Sequence, residues 1–301
     1  MIGRITTQME TAQVLADINS SQDALNVTQE QLSTGLTINQ PSDNPYGASL
    51  AVQLNQALSG LTAYNGQITD GSAWSQATST ALTTIQNSLE RAQELVVGAA
   101  NGSDSATDLS ATAAEVSSLT QSILQAANSQ YNGQYIFGGS QTGTQPYDTT
   151  TQTYQGDNGT VMRAIGPNTS VQVNTDISSL LGSGTTGSGL LATLNSIQTD
   201  LTSGNQADLS NQITSLQNNL NTLEQLQATA GSTQNRLTAA TTTITALQNS
   251  DTESLSNDED ANMATTMTTF SSQQAAFEAA LQAGAQIVQT SLMNFLSTSG
   301  S

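Results

Sequence analysis

The residues best placed to do chemistry are a glycine-rich run and a few groups of carboxylates. Gly182-Ser183-Gly184-Thr185-Thr186-Gly187 has the G-x-G-x-x-G spacing that cradles a dinucleotide pyrophosphate, and Leu190 onward reads as helix. That chemistry needs a strong buried strand ahead of the glycines, inside a repeated βαβ pattern. Ile177-Ser178-Ser179-Leu180-Leu181 is a poor strand, and no such repeat surrounds it. The run therefore reads as a linker. Asp251-Thr252-Glu253 and Asp258-Glu259-Asp260 offer oxygens to a hard cation. A calcium loop requires alternating acids, a central glycine and a closing glutamate, and none of these is in place. A solvated acidic helix start or turn fits better. Asp43, Asp148, Asp157 and Asp176 sit in turn-like contexts, where aspartate bonds its own backbone. The chain has no His and no Cys, and its four basic residues are all Arg. The commonest general base, Schiff-base chemistry, thiolate chemistry and disulfides are thereby removed. No catalytic residue, cofactor or metal is expected, and the protein reads as non-enzymatic.

Charge narrows the partners. Arg4, Arg91, Arg163 and Arg236 face 23 acidic residues, for a formal net charge of −19 in 301 residues. Nucleic acid binding needs cations that displace counterions from phosphate, so it is excluded, as is a basic membrane-surface patch. Only 9% of residues are charged, so Ser, Thr, Asn and Gln supply most of the polar surface. Such a surface repels weakly and can pack against copies of itself. Met1 to Leu15 lacks the cationic and apolar regions of a cleaved secretory signal, and no run approaches the roughly 20 apolar residues of a membrane span.

The elements are mostly helices with narrow apolar stripes. Leu15, Ile18, Gln22, Leu25, Gln29, Leu32 and Leu36 alternate spacings of three and four, which predicts a coiled-coil seam. Pro41 breaks the helix, and Asn44-Pro45 predicts the cap and first turn of the next. That helix carries Leu50, Leu54, Ala57, Leu61, Tyr64 and Ile68. Its seam weakens at Gly71, Ser75 and Thr78, where a bend or break is expected, and recovers at Leu82, Ile85, Leu89, Ala92, Val96 and Ala99. A third helix places Leu109, Ala113, Val116, Thr120, Ile123 and Ala127 on one face. Short extended runs follow at Tyr135-Ile136-Phe137 and Val171-Gln172-Val173, and Asp157-Asn158-Gly159 is a hairpin signal. Helical periodicity returns at Leu190, Leu194, Ile197 and Leu201, then at Leu209, Ile213, Leu216, Leu220 and Leu223. The acidic stretch from Asp251 to Asp260 reads as an interruption. The last segment has Met263, Met267, Phe270, Gln274, Phe277, Leu281, Gly284 and Val288, then Leu292 and Phe295. A Met and Phe stripe at this spacing is a helix seam.

The fold class expected is mainly α with a small β-rich insert. The N- and C-terminal segments, 1–132 and 190–301, pair as an elongated coiled-coil-like rod, and 133–189 is a small outer β-rich domain with its Gly/Ser linker. Neither terminal stripe can bury itself alone, so association with copies or partners completes it. The outermost ends, about 1–40 and 262–301, are expected to be disordered in the free monomer. On periodicity alone a surface coiled coil would also fit.

A more specific signal is Leu32-Ser33-Thr34-Gly35-Leu36-Thr37-Ile38-Asn39-Gln40-Pro41-Ser42-Asp43-Asn44-Pro45. It resembles the turn motif shared by flagellins and hook-associated proteins. Arg4-Ile5-Thr6-Thr7-Gln8-Met9, Asn132-Gly133-Gln134-Tyr135-Ile136-Phe137-Gly138-Gly139 and the closing Gln289 to Leu296 are similar to the flagellar hook–filament junction family, the third hook-associated proteins. Leu36 stands where the family has Lys, and Asn44 replaces a frequent second Asp. The resemblance implies an extracellular adaptor subunit, exported by the flagellar type III apparatus with a chaperone. Its implied partners are the first hook-associated protein, flagellin, and copies of itself in a ring. Flagellin itself is the alternative, though Gln282-Ala283-Gly284-Ala285-Gln286 stands where flagellins have Ala-Gln-Ala-Asn.

Overall fold

The computed structural model describes residues 7–101, 105–185 and 187–298. Arg4, Ile5 and Thr6 of the opening motif, Gly102 to Asp104 and Thr186 lie outside them. Seven helices and four short strands follow in order: α1 (Thr7–Thr34), α2 (Pro45–Ala99), α3 (Ala106–Ala127), β1 (Gln130–Tyr131), β2 (Gln134–Tyr135), β3 (Met162–Gly166), β4 (Thr169–Gln172), α4 (Ser178–Leu181), α5 (Leu190–Ser203), α6 (Gln206–Glu259) and α7 (Met263–Thr298). The fold is mainly α with small antiparallel strand pairs. Its contacts divide it into two units, Gly60–Leu247 and Met1–Ser59 with Gln248–Ser301, and α2 and α6 each contribute to both.

The 60–247 unit holds the apolar core. Along α2, Leu61, Ile68, Ser75, Leu82, Leu89 and Val96 are buried at a strict seven-residue interval, with Thr78, Ile85, Ala92 and Ala99 beside them. Along α6, Leu209, Leu216, Leu223, Ala230, Leu237 and Ile244 repeat the interval. Two helices with this period lay one apolar line against another. Flanking amides tie them: Gln93 donates to Gln217, Gln227 to Gln86 and Gln234 to Ser72. As the α2 number falls the α6 number rises, so the pair is antiparallel. Helix α3 buries the face read from its sequence and begins on a capping box between Ser105 and Asp108, which satisfies N–H groups that a helix start leaves orphaned. It packs against α5.

No break occurs at the weak middle of α2: the helix runs unbroken from Pro45 to Ala99, and the small residues there make room for the insert. A Cβ on Gly71 would lie 3.1 Å from Val173 and 3.4 Å from Arg163 and Leu237. Trp74, fully buried, fills the gap with its edge toward Tyr131 at 6.1 Å. Arg163 from β3 lies 5.9 Å above the indole and bonds Asp70 at 2.7 Å. Gln67 accepts from the Ala164 N–H at 2.9 Å. The insert is thus held on α2 by a guanidinium, a carboxylate and an indole.

Two other expectations for the insert are corrected. Tyr135-Ile136-Phe137 is not one strand: β1 and β2 form a two-residue ladder around Asn132-Gly133, and Ile136 and Phe137 turn into the core. Asp157-Asn158-Gly159 makes no hairpin. Its carboxylate instead accepts from the N–H groups of Ser140 at 2.6 Å and Gly159 at 3.0 Å, and from the Ser140 hydroxyl. The true hairpin is β3–β4, turning at Gly166-Pro167-Asn168 with Asn168 at φ 57°. The interruption read at Asp251 to Asp260 is likewise helical up to Glu259, since the stretch holds neither Gly nor Pro to stop it.

Candidate functional site

In the second unit α1 pairs with α7. The faces they share mix large apolar side chains with small or polar ones. On α1 the covered line is Thr11, Val14, Ile18, Ser21, Leu25, Thr28 and Leu32, with Ala24 and Gln31 half-buried beside it. On α7 they are Thr266, Phe270, Gln273, Phe277, Ala280, Gly284 and Ile287. Both sets alternate three and four. The Thr28 hydroxyl meets the Gln273 side chain across the pair. A Cβ on Gly284 would stand 2.9 Å from Ile18 and 3.2 Å from Val14, so the backbone of α7 comes close to α1 there.

The residues of the sequence stripe fall on two neighbouring lines. Ile18, Leu25, Leu32, Phe270, Phe277 and Gly284 lie in the seam. Leu15, Gln22 and Gln29 do not: the seam takes Val14, Ser21 and Thr28, one residue earlier. On α7 it takes Thr266, Gln273, Ala280 and Ile287 in place of Met267, Gln274, Leu281 and Val288. Each alternation has the same spacing about the shared line, so spacing cannot choose between them. One residue is about 100° of helix rotation, enough to carry a side chain off the contact. Leu15 is 56% exposed, Met267 61%, Leu281 45% and Val288 40%. Met263, Met9 and Val27 are also exposed. The side chains of Leu292 and Phe295 lie outside the described residues. An open groove of about 530 Å³ runs beside Met9, Gln13, Val14 and Ile287.

The turn motif forms a joint. Gly35, at φ 76°, ends α1 with its N–H bonded to Gln31 O at 2.9 Å, the left-handed stop that glycine makes without strain. Its carbonyl accepts from Ala261 N at 2.8 Å, and Thr37 N donates to Glu259 O at 2.6 Å. Leu36 and Asp260 thus form an antiparallel bridge. The Thr34 hydroxyl accepts from Leu36 N. Asn39 donates to Leu36 O, and Asp43 accepts from the N–H groups of Asn39 and Gln40 at 3.0 and 2.9 Å. Ile38 is buried and lies under Gly47, where a Cβ would come within 2.5 Å. Asn44 caps α2 through Gly47 N at 3.0 Å, ahead of Pro45. Ser33, Pro41 and Ser42 are exposed. Asn262 caps α7 through Thr265 N. The break between α6 and α7 lies at 260–262, and a capping Asn ahead of a helical run is the signal that could have located it.

The carboxylates are structural. Asp157 is held below the usual carboxylate range by the Ser140 hydroxyl, then by the N–H groups of Ser140 and Gly159. Asp148 is lowered chiefly by the N–H groups of Thr151 and Thr150. Burial pushes Tyr154 up to about 12. The glycine-rich run closes on itself instead of opening toward a phosphate. A Cβ on Gly189 would meet Gly182 N at 2.7 Å, and the Tyr147 hydroxyl donates to Gly182 O at 3.0 Å. Among the described residues, no group of three or more acids is placed to hold a metal ion, and no helix is long and apolar enough to cross a membrane.

Comparison with known proteins places these helices. The bacterial flagellin N-terminal helical region matches residues 5–142, and the bacterial flagellin C-terminal helical region matches 213–296. The chain is a flagellin-like protein. The matched segments take in α1, α2 and α3 and most of α6 and α7. A flagellar hook-associated protein 3 from Salmonella typhimurium is 33% identical over 163 residues, 54% of this chain and 51% of that relative. The match thus spans about half of the relative's length. A flagellin from Salmonella muenchen is 36% identical over 118 residues, 39% of this chain and 23% of that protein. The structure of a putative flagellar hook-associated protein from Vibrio parahaemolyticus superposes with a TM-score of 0.67, covering 72% of this flagellin-like chain and all of that one, at 18% identity. At that identity the likeness speaks of fold.

Proposed function

We propose that this flagellin-like chain is a structural adaptor subunit of the bacterial flagellum, joining the hook, through the first hook-associated protein, to the flagellin filament. In this reading it acts outside the cell, after export by the flagellar type III apparatus with a chaperone, as a ring of copies. It carries out no reaction. The observation that carries the reading is the outer line of the helix pair: Leu15, Met263, Met267, Leu281 and Val288 stand exposed beside a seam that mixes Ile, Leu, Val and Phe with Ser, Thr, Gln, Ala and Gly. A stripe of large apolar residues left in water is a surface that association covers. Half of that seam is Ser, Thr, Gln, Ala and Gly, which add little to the stability of a lone pair, since burial energy scales with apolar area. The ends 1–40 and 262–301 are accordingly expected to be lost first to protease from the free monomer, with a stable remainder.

The longer match to a hook-associated protein 3 than to a flagellin, 163 against 118 residues, supports a junction subunit over a filament subunit. Deleting the gene tests this. Cells should keep intact hooks and shed flagellin as monomer. Normal filaments on the deletion strain would overturn the junction reading.

A further inference from the structure

We infer that Arg236 on α6 docks a carboxylate of a second copy of this chain, an inference that rests on the assembly reading above. The chain has four basic residues. Arg91 is paired with Glu94 and Glu115, and Arg163 with Asp70. Among the described residues, Arg236 is the cation without a salt bridge, and it is exposed. Its own helix offers it no acid. From Gln225 to Ser250 the sequence contains no Asp and no Glu, so Arg236 is the sole charge on that length of α6. Arginine on a helix is ordinarily served by an acid three or four residues away. Here those positions hold Ser232, Thr233, Ala239 and Ala240.

The setting favours a copy of the same chain as the partner. A subunit with net charge −19 repels its neighbours over most of its surface. The 225–250 stretch adds nothing to that repulsion and carries one positive charge. Ser232, Asn235, Ala239 and Thr243 around it are exposed and short, so a neighbouring element can approach closely enough for the guanidinium to reach a carboxylate in its forked geometry. A second copy brings many carboxylates and few cations, which is the complement this site lacks.

Absence of lysine makes the test clean. R236K supplies the chain's sole side-chain amine. A carbodiimide then joins that amine to a carboxylate it touches, forming an amide and passing the lost water to the reagent as its urea. Flagella isolated from cells making R236K, and purified R236K monomer, are treated in parallel with the unsubstituted protein. The expected result is a band of twice the chain mass from R236K flagella only, with mass spectrometry joining position 236 to an Asp or Glu of another copy. R236Q should raise the concentration for half-maximal assembly roughly two- to fivefold, the range of an exposed ion pair. Coupling to a different protein, or R236K present in the flagella yet uncoupled, overturns the pairing and leaves the adaptor reading standing. Absence of the chain from the flagella sinks both.

Discussion

Replacing Met267 and Leu281 together with glutamine separates assembly from folding. Both lie on the line that flanks the α1–α7 seam, 61% and 45% exposed. Glutamine matches their helix propensity within a few tenths of a kcal/mol, so the helix itself is little changed. Full burial of such a side chain is worth about 2 kcal/mol. With roughly half of each still in water, covering the remainder contributes about 1 kcal/mol per residue. The double substitution should therefore weaken association by about 2 kcal/mol per subunit, or about thirtyfold in the concentration at which half the protein assembles. Monomer stability should move by less than about 0.5 kcal/mol, as for other exposed substitutions. Sedimentation against concentration reads the first quantity and a circular-dichroism melt reads the second. Phe277→Gln, inside the seam, is the control and should lower the melt of the pair. A double variant that melts early but assembles at the unsubstituted concentration would refute the assignment of an outward apolar stripe.

Three other outcomes follow from the packing. Trp74→Ala should cost about 3–5 kcal/mol by denaturant unfolding, because a fully buried indole is removed from between α2, Tyr131 and Arg163. Asp157, lowered below its ordinary value of 3.8 in the fold, contributes stability that is present above that value and lost as pH falls through its folded pKa. Acid melts should therefore show a decline that Asp157→Asn flattens, and an unchanged acid profile would contradict the clasp on Ser140. Gly35→Ala meets no steric neighbour but must hold φ 76°. It should cost about 1–2 kcal/mol from the backbone alone, seen as faster hydrogen exchange at Ala261 N–H.

Periodicity revealed most of the helical architecture and less of the site. In α2 and α6 a buried line, mostly Leu, Ile and Val, recurs every seven residues, so the core face was legible. In α1 and α7 two adjacent lines compete. The apolar residues at 15, 267, 281 and 288 advertise one line, whereas the contact uses Thr28, Thr266, Gln273 and Ala280 on the other. The small and polar half of that seam gives no hydropathy signal. The helix does not break near Gly71 for a related reason: glycine there serves the close approach of Val173, a long-range contact that local propensity cannot report. At 157–159 a turn signal was real, but the Asp side chain spent itself on Ser140 and the chain never paired across it.

The bridge between Leu36 and Asp260 has a kinetic side. Thr37 finds its acceptor, the Glu259 carbonyl, 222 positions further along the chain. Ring closure over such a span is slow compared with forming a helical turn or the β3–β4 hairpin. A polypeptide delivered from its N-terminus would have to wait for almost its whole length before that knot of backbone bonds could tie. Until then α1 has no α7 beside it, and the leading segment travels uncommitted.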